Sequence, residues 1–94
     1  MENIYLDHAA TTPLSPKAFE AMKPYFSDTF GNANSQHVFG REAAKGVNDA
    51  RQLLANCIGA KPSEIYFTSC GTEADNWAVK GIALQNIEKG KHII

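Results

Sequence analysis

"IYFTSCGTEADNWAVKG", Ile65 to Gly81, passes from β-branched and aromatic residues through a small polar turn into a helical pattern. The run from Glu64 to Ser69, "EIYFTS", shows no clean alternation of polar and apolar residues, the pattern of a strand buried on both faces. Beyond the turn, Ala74, Trp77, Ala78, Gly81, Ile82 and Leu84 support a helix from Thr72 to about Ile87, with Thr72 and Asp75 in capping-box-like spacing. These apolar positions cover more than one narrow stripe, so the helix is expected between a sheet and another layer, with Trp77 in the core. "GKHII", Gly90 to Ile94, then begins a further strand. A strand–helix–strand unit makes a parallel pair, and parallel sheets occur almost only with both faces covered. The chain therefore reads as a piece of a larger α/β protein.

Upstream, "NIYL" (3–6) is a short strand or extended lead-in, and "DHAATTPLSP" (7–16) is loop. Ser15 followed by Pro16 marks a helix start, and Phe19, Met22, Tyr25 and Phe26 fall on one face of a helix over 16–26. "SDTFGNANSQH" (27–37) is a second loop with turn chemistry from Gly31, Asn32 and Asn34. Ser35 is the expected cap of a longer amphipathic helix over 38–58, in which Phe39, Ala43, Val47, Ala50, Leu54 and Ile58 recur at spacings of three and four. Gly59 ends it, and Pro62 is expected to prevent an early restart.

Composition bounds the function. Ninety-four residues, 44% hydrophobic and 20% charged, are enough for one modest domain and argue against intrinsic disorder. The net charge is −1 and no two Lys or Arg residues adjoin, so an electrostatic grip on nucleic acid or an anionic membrane is not expected. No long apolar run and no export signal appear in the sequence, and a cytoplasmic protein is expected. Cys57 and Cys70 read as two reduced thiols, and no Cys/His spacing suggests a metal.

The turn itself suggests chemistry. Strand, then "SCGTE", then helix leaves backbone N–H groups free at a helix N-terminus, where they and the helix dipole favour an anion. Gly71 permits close approach and the Thr72 hydroxyl adds a donor, although capping alone also accounts for small residues here. There is no G-x-x-x-x-G-K-[ST] and no G-x-G-x-x-G, which excludes the nucleoside triphosphate and dinucleotide loops. A single phosphate on a small cofactor fits better.

Three motifs in order, "YLDHAATTPLSP", "FGNANSQHVFGREAAKGVNDAR" and "IYFTSCGTEADNWAVKG", together resemble the N-terminal part of the cysteine desulfurases over residues 4–94. These are pyridoxal 5'-phosphate (PLP) enzymes of the class V aminotransferase group, fold type I. The resemblance implies helices packing on the start of a mostly parallel sheet, in three parts. Residues 1–15 are an extended segment and loop, 16–62 a helical segment, and 63–94 the start of the PLP-binding large domain. It also implies that Gly71 and Thr72 bind the PLP phosphate through backbone N–H and hydroxyl. Two residues depart from the commoner S-G-A-T-E: Cys70 stands for the first small residue and Gly71 for Ala. Cys70 reads as a small packing residue, because the family's persulfide cysteine lies far toward the C-terminus; a thiol at a helix N-terminus can have a lowered pKa, which a bound phosphate would oppose. His8 is a candidate loop contact at the active-site mouth. "GNANSQH" matches G-N-P-S-S-x-H with Ala33 for Pro and Asn34 for Ser, so Asn32 and His37 are mouth or dimer candidates that turn formation and capping also explain.

The family reaction converts L-cysteine to L-alanine and an enzyme persulfide, for iron–sulfur cluster assembly or other sulfur transfer to an acceptor or scaffold protein. The family's Schiff-base Lys, pyridine-nitrogen carboxylate and ring-stacking His are expected after residue 94. No catalytic residue is assigned in the chain, and Lys17, Lys23, Lys45, Lys61, Lys80, Lys89 and Lys91 lack the family's S-x-H-K context. The 94 residues alone are expected to be inactive and, with apolar helix faces uncovered, to form a homodimer or exchanged oligomer. Two alternatives stand beside this one: a selenocysteine lyase or other class V lyase, and a non-catalytic fragment acting as a self-associating or assembly module.

Overall fold

The computed structural model describes residues 3–94, so Met1 and Glu2 of the leading segment lie outside the described residues. Four α-helices and one 3-10 turn follow in order: α1 Pro16–Met22, α2 Pro24–Ser27, α3 Val38–Ile58, the 3-10 turn Pro62–Glu64, and α4 Gly71–Gln85. Their contacts divide the chain into two compact units, one ending at Ala50 and one running from Arg51 to Ile94.

In the first unit, the Tyr5 hydroxyl donates to the carbonyls of Asp7 (2.8 Å) and Thr11 (3.3 Å), closing the loop "DHAAT". Pro16 opens α1 as expected, but the Ser15 side chain makes no cap hydrogen bond; only its carbonyl accepts, from the Phe19 amide at 2.9 Å. The single helix expected over 16–26 is two helices divided at Lys23, because Pro24 has no amide to continue the ladder. Asn32 builds the next turn: its Oδ1 accepts from the Asn34 amide at 2.9 Å and its carbonyl from the Ser35 amide at 2.9 Å. This turn packs backbone against the start of α3. A Cβ on Gly31 would collide with the Phe39 carbonyl, and one on Gly40 with those of Ser35 and Asn32, so the approach depends on both glycines. The cap of α3 is His37 and not Ser35: the Gly40 amide donates to His37 Nδ1 at 3.3 Å, an imidazole in the role usually taken by a hydroxyl or carboxyl oxygen. Phe30 stacks on Phe39 with ring centres 5.9 Å apart, and the Tyr25 ring lies over Gly46.

The second unit begins within α3, which ends where the sequence places it. Gly59 has φ +68°, and the Ala60 amide donates to the Ala55 carbonyl at 2.9 Å, closing the helix in a Schellman-type turn. Pro62 begins a 3-10 turn, stapled by the Glu64 carboxylate accepting from the Lys61 amide at 2.7 Å, and the next α-helix starts only at Gly71. Ile65 is extended (φ −99°, ψ 124°), yet no strand forms among the described residues, at 3–6, at 64–69 or at 90–94. A strand is defined by a ladder, and no second extended segment pairs with this one. The expected sheet is thus not realised within these residues.

Burial follows from that. Among the described hydrophobic residues only Ala43 and Ala55 are buried, and Trp77, expected in the core, is 53% exposed with its ring edge against Tyr66 at 5.2 Å. Val47, Leu54, Ile82 and Leu84, which give α3 and α4 their apolar faces, are likewise exposed.

Candidate functional site

The approach to the "SCGTE" turn is fixed from α3. Arg51 donates through Nε to the Ile65 carbonyl at 3.3 Å and lays its guanidinium 5.2 Å from the Phe67 ring centre. Sequence reasoning placed Arg51 among the polar remainder of an amphipathic helix; nothing local marks it, since its partners lie 14 and 16 positions on.

The turn then delivers the chain into α4. Cys70 sits at the N-cap in extended conformation (φ −165°, ψ 170°), its carbonyl accepting from the Ala74 amide at 3.2 Å and from the Thr68 hydroxyl at 3.1 Å. Gly71 and Thr72 are the first two residues of this 15-residue helix, which places their amides at the positive end of its dipole. Those amides meet no oxygen acceptor among the described residues. A Cβ on Gly71 would find no atom within 4 Å, so the space above the turn is open, and Thr72 is exposed. The Asn76 side chain donates to the Thr72 carbonyl at 2.9 Å, on the helix side of the residue.

The expected Thr72–Asp75 capping box is not formed. Glu73 takes that work: its carboxylate accepts from the Ser69 amide at 2.7 Å and from the Ser69 hydroxyl at 2.5 Å. A capping box would return to the N-cap residue itself; here Glu73 reaches one residue further back. The Ser69 hydroxyl, then its amide, hold the Glu73 carboxyl below its ordinary value of 4.5. The sequence signal was present in S-x-x-x-E, one residue longer than the spacing usually sought.

The Cys70 thiol is exposed, with the Ser69 hydroxyl 3.8 Å from its sulfur. Its pKa lies below the ordinary 9.0, chiefly through the Glu73 amide and then the Ser69 hydroxyl, with lesser help from the Thr72 amide and hydroxyl and against a small burial cost. The donors that would serve a phosphate thus lean toward a sulfur, which is a weak acceptor.

The other candidates serve local structure. His8 sets its ring edge-on to Tyr5 at 5.3 Å, Asn32 builds its turn, and His37 caps α3. Lys23 pairs with Glu20 at 2.6 Å and Lys45 with Asp49 at 2.5 Å. No group of three or more His, Cys, Asp or Glu capable of holding a metal occurs among the described residues. A cavity of about 600 Å³ lies at the opposite end of α4 from the turn, walled by Val79, Ile82, Ile87 and Ile93 among others. Its wall is mostly apolar, with Asn86, Lys91 and His92 also among its lining residues. No helix among the described residues is long and apolar enough to cross a membrane.

Residues 4–94 match the aminotransferase class-V family. The chain is 54% identical over 91 residues to a cysteine desulfurase IscS of Dictyoglomus turgidum, covering 97% of this chain and 23% of that protein. It is 50% identical over 91 residues to a cysteine desulfurase IscS of Methanosarcina thermophila, covering 97% and 22%. Cysteine desulfurase 1 of Trichormus variabilis is 49% identical over 94 residues, 100% of this chain and 23% of that protein. The chain therefore spans less than a quarter of the length of these curated relatives. No solved structure matches it.

Proposed function

The chain belongs to the aminotransferase class-V family, and from that premise we propose that it is the N-terminal, phosphate-anchoring portion of a PLP-dependent cysteine desulfurase. In this reading L-cysteine is the substrate, and a sulfur acceptor takes the product sulfur. The family implies PLP and the fold type I architecture; residues 63–94 are then the start of the cofactor domain. One observation carries the assignment of the site: Gly71 and Thr72 open α4, with open space above Gly71.

The residues present fit a phosphate. Two amides and the Thr72 hydroxyl belong to the first two residues of α4, Gly71 leaves room beside them, and the dipole favours negative charge. Gly71 and Thr72 would donate to phosphate oxygens and so orient the rest of the cofactor by its tail. PLP, when bound, supplies an electron sink for negative charge at the substrate α-carbon. This chain's residues do no proton transfer in the proposal; they hold and orient. Two of its seven lysines are tied up in ion pairs, and none lies at the turn.

Titrating the chain with PLP, followed by the phosphorus resonance, tests the assignment. Saturable binding competed by inorganic phosphate is expected, without release of alanine from L-cysteine. A borohydride-reducible adduct at one defined lysine would refute the purely anchoring role.

A further inference from the structure

We propose that His37 is a pH-sensitive latch between the 31–36 turn and the start of α3, closed by its neutral imidazole and opened by a proton on Nδ1. It is independent of the phosphate assignment. The Gly40 amide donates to His37 Nδ1 at 3.3 Å. A ring nitrogen accepts only while it keeps its lone pair, so this contact requires the neutral tautomer with its proton on Nε2. The ring stands edge-on to Phe39 with centres 6.1 Å apart, and His37 is exposed, so protons reach it from solvent. Gly40 itself is buried, packed so closely on Asn32 and Ser35 that even a Cβ would strike their carbonyls. Its amide has no room to turn toward water. With Nδ1 protonated, a buried donor faces a second donor and carries its desolvation cost unrelieved.

The same proton sets a positive charge at the positive end of the α3 dipole. Both effects oppose the closed turn, so acidification loosens it. No neighbouring group compensates. The 31–36 turn carries no titratable side chain. Arg41 of α3 donates through Nη1 to the Gln36 carbonyl at 2.5 Å, which brings a second cation beside the latch. Among the described residues no carboxylate pairs with His37: Glu20 and Asp49 pair with lysines, and Asp28 accepts from the Ser27 hydroxyl. Glu42, the first acid of α3, makes no ion pair or hydrogen bond. Opening the latch releases the close approach of Gly31 to the Phe39 carbonyl and the Phe30–Phe39 stack, whereas the later turns of α3 keep their own ladder.

The experiment follows hydrogen exchange of the Gly40 amide in the 94-residue chain across the histidine range, about pH 8 to 5, as protection relative to the intrinsic rate at each pH. The 15N resonances of the His37 ring report its tautomer and protonation in the same samples. Protection of Gly40 is expected to fall about tenfold, the scale of one buried donor left without an acceptor, in step with protonation of His37. The Ala60 amide, which donates to the Ala55 carbonyl at the other end of α3, is expected to keep its protection. His37→Asn supplies a cap oxygen that does not titrate, and should keep Gly40 protected at both ends of the range. His37→Ala should leave it weakly protected throughout. Protection of Gly40 that does not change with pH in the unsubstituted chain overturns the proposal. So does a loss in His37→Asn as large as in the unsubstituted chain, which would place the titrating group elsewhere. A neutral ring that carries its proton on Nδ1 overturns it as well.

Discussion

Gly71 occupies a position where one donor can be removed without disturbing the helix. It is the first residue of α4, and Cys70 before it is extended, the conformation a following proline requires. Gly71→Pro should therefore keep the helical signal of α4 and weaken phosphate binding about tenfold, measured by phosphorus NMR; unchanged affinity would remove Gly71 from the site. Thr72→Val tests the hydroxyl in the same assay. The Glu73 carboxyl is lower in the folded chain than its ordinary 4.5, so the folded state binds this proton less readily than the unfolded one. Its contribution to stability is fully present above 4.5 and is lost as pH falls through the depressed folded value. Glu73→Gln should flatten that limb of the acid unfolding curve, followed by circular dichroism. Cys70, held below 9.0 by the Glu73 amide and Ser69 hydroxyl, should alkylate with iodoacetamide at a rate that rises with pH and levels off below 9.0. Phosphate should slow this reaction by raising the thiol pKa; acceleration would show that the anion binds elsewhere.

Elements differ in how far local sequence decides them. The end of α3 was legible in the sequence, because Gly59 stops it in a left-handed conformation that other residues adopt only with strain. No atom lies within 4 Å of a Cβ built there, so Gly59→Ala should cost only the backbone term, about 1 kcal/mol, seen as a lowered Tm. Its start was less legible. His37 is not among the residues that usually cap, and it does so because the Gly31 and Gly40 backbones meet closely beside it. Pro24 was visible in the sequence, yet the face of Phe19, Met22, Tyr25 and Phe26 outweighed it in the reading of 16–26. The candidate turn was half legible: small residues after a β-rich run mark Gly71 and Thr72, and S-x-x-x-E signals the reach of Glu73 to Ser69, whereas Arg51 acts through a partner 14 positions on that no local period reveals.

At the scale of the whole molecule, apolar surface dominates. Ile4, Leu6, Phe26, Phe30, Leu53, Ile58, Ile82 and Leu84 are all exposed, far more than a stable monomer of this size leaves uncovered. Sedimentation should show association that rises with protein concentration, accompanied by binding of a hydrophobic dye. A monomer at all concentrations that leaves the dye dark would refute this. The amino-acid sequence by itself determined the helices, whose hydrogen bonds close within four residues, and the placing of Gly71 and Thr72 at the head of one of them. The tertiary structure alone decided that 64–69 is extended without being a strand and that Trp77 is half-exposed. Strand pairing and burial depend on what lies across space from a residue, and residue order does not specify that partner.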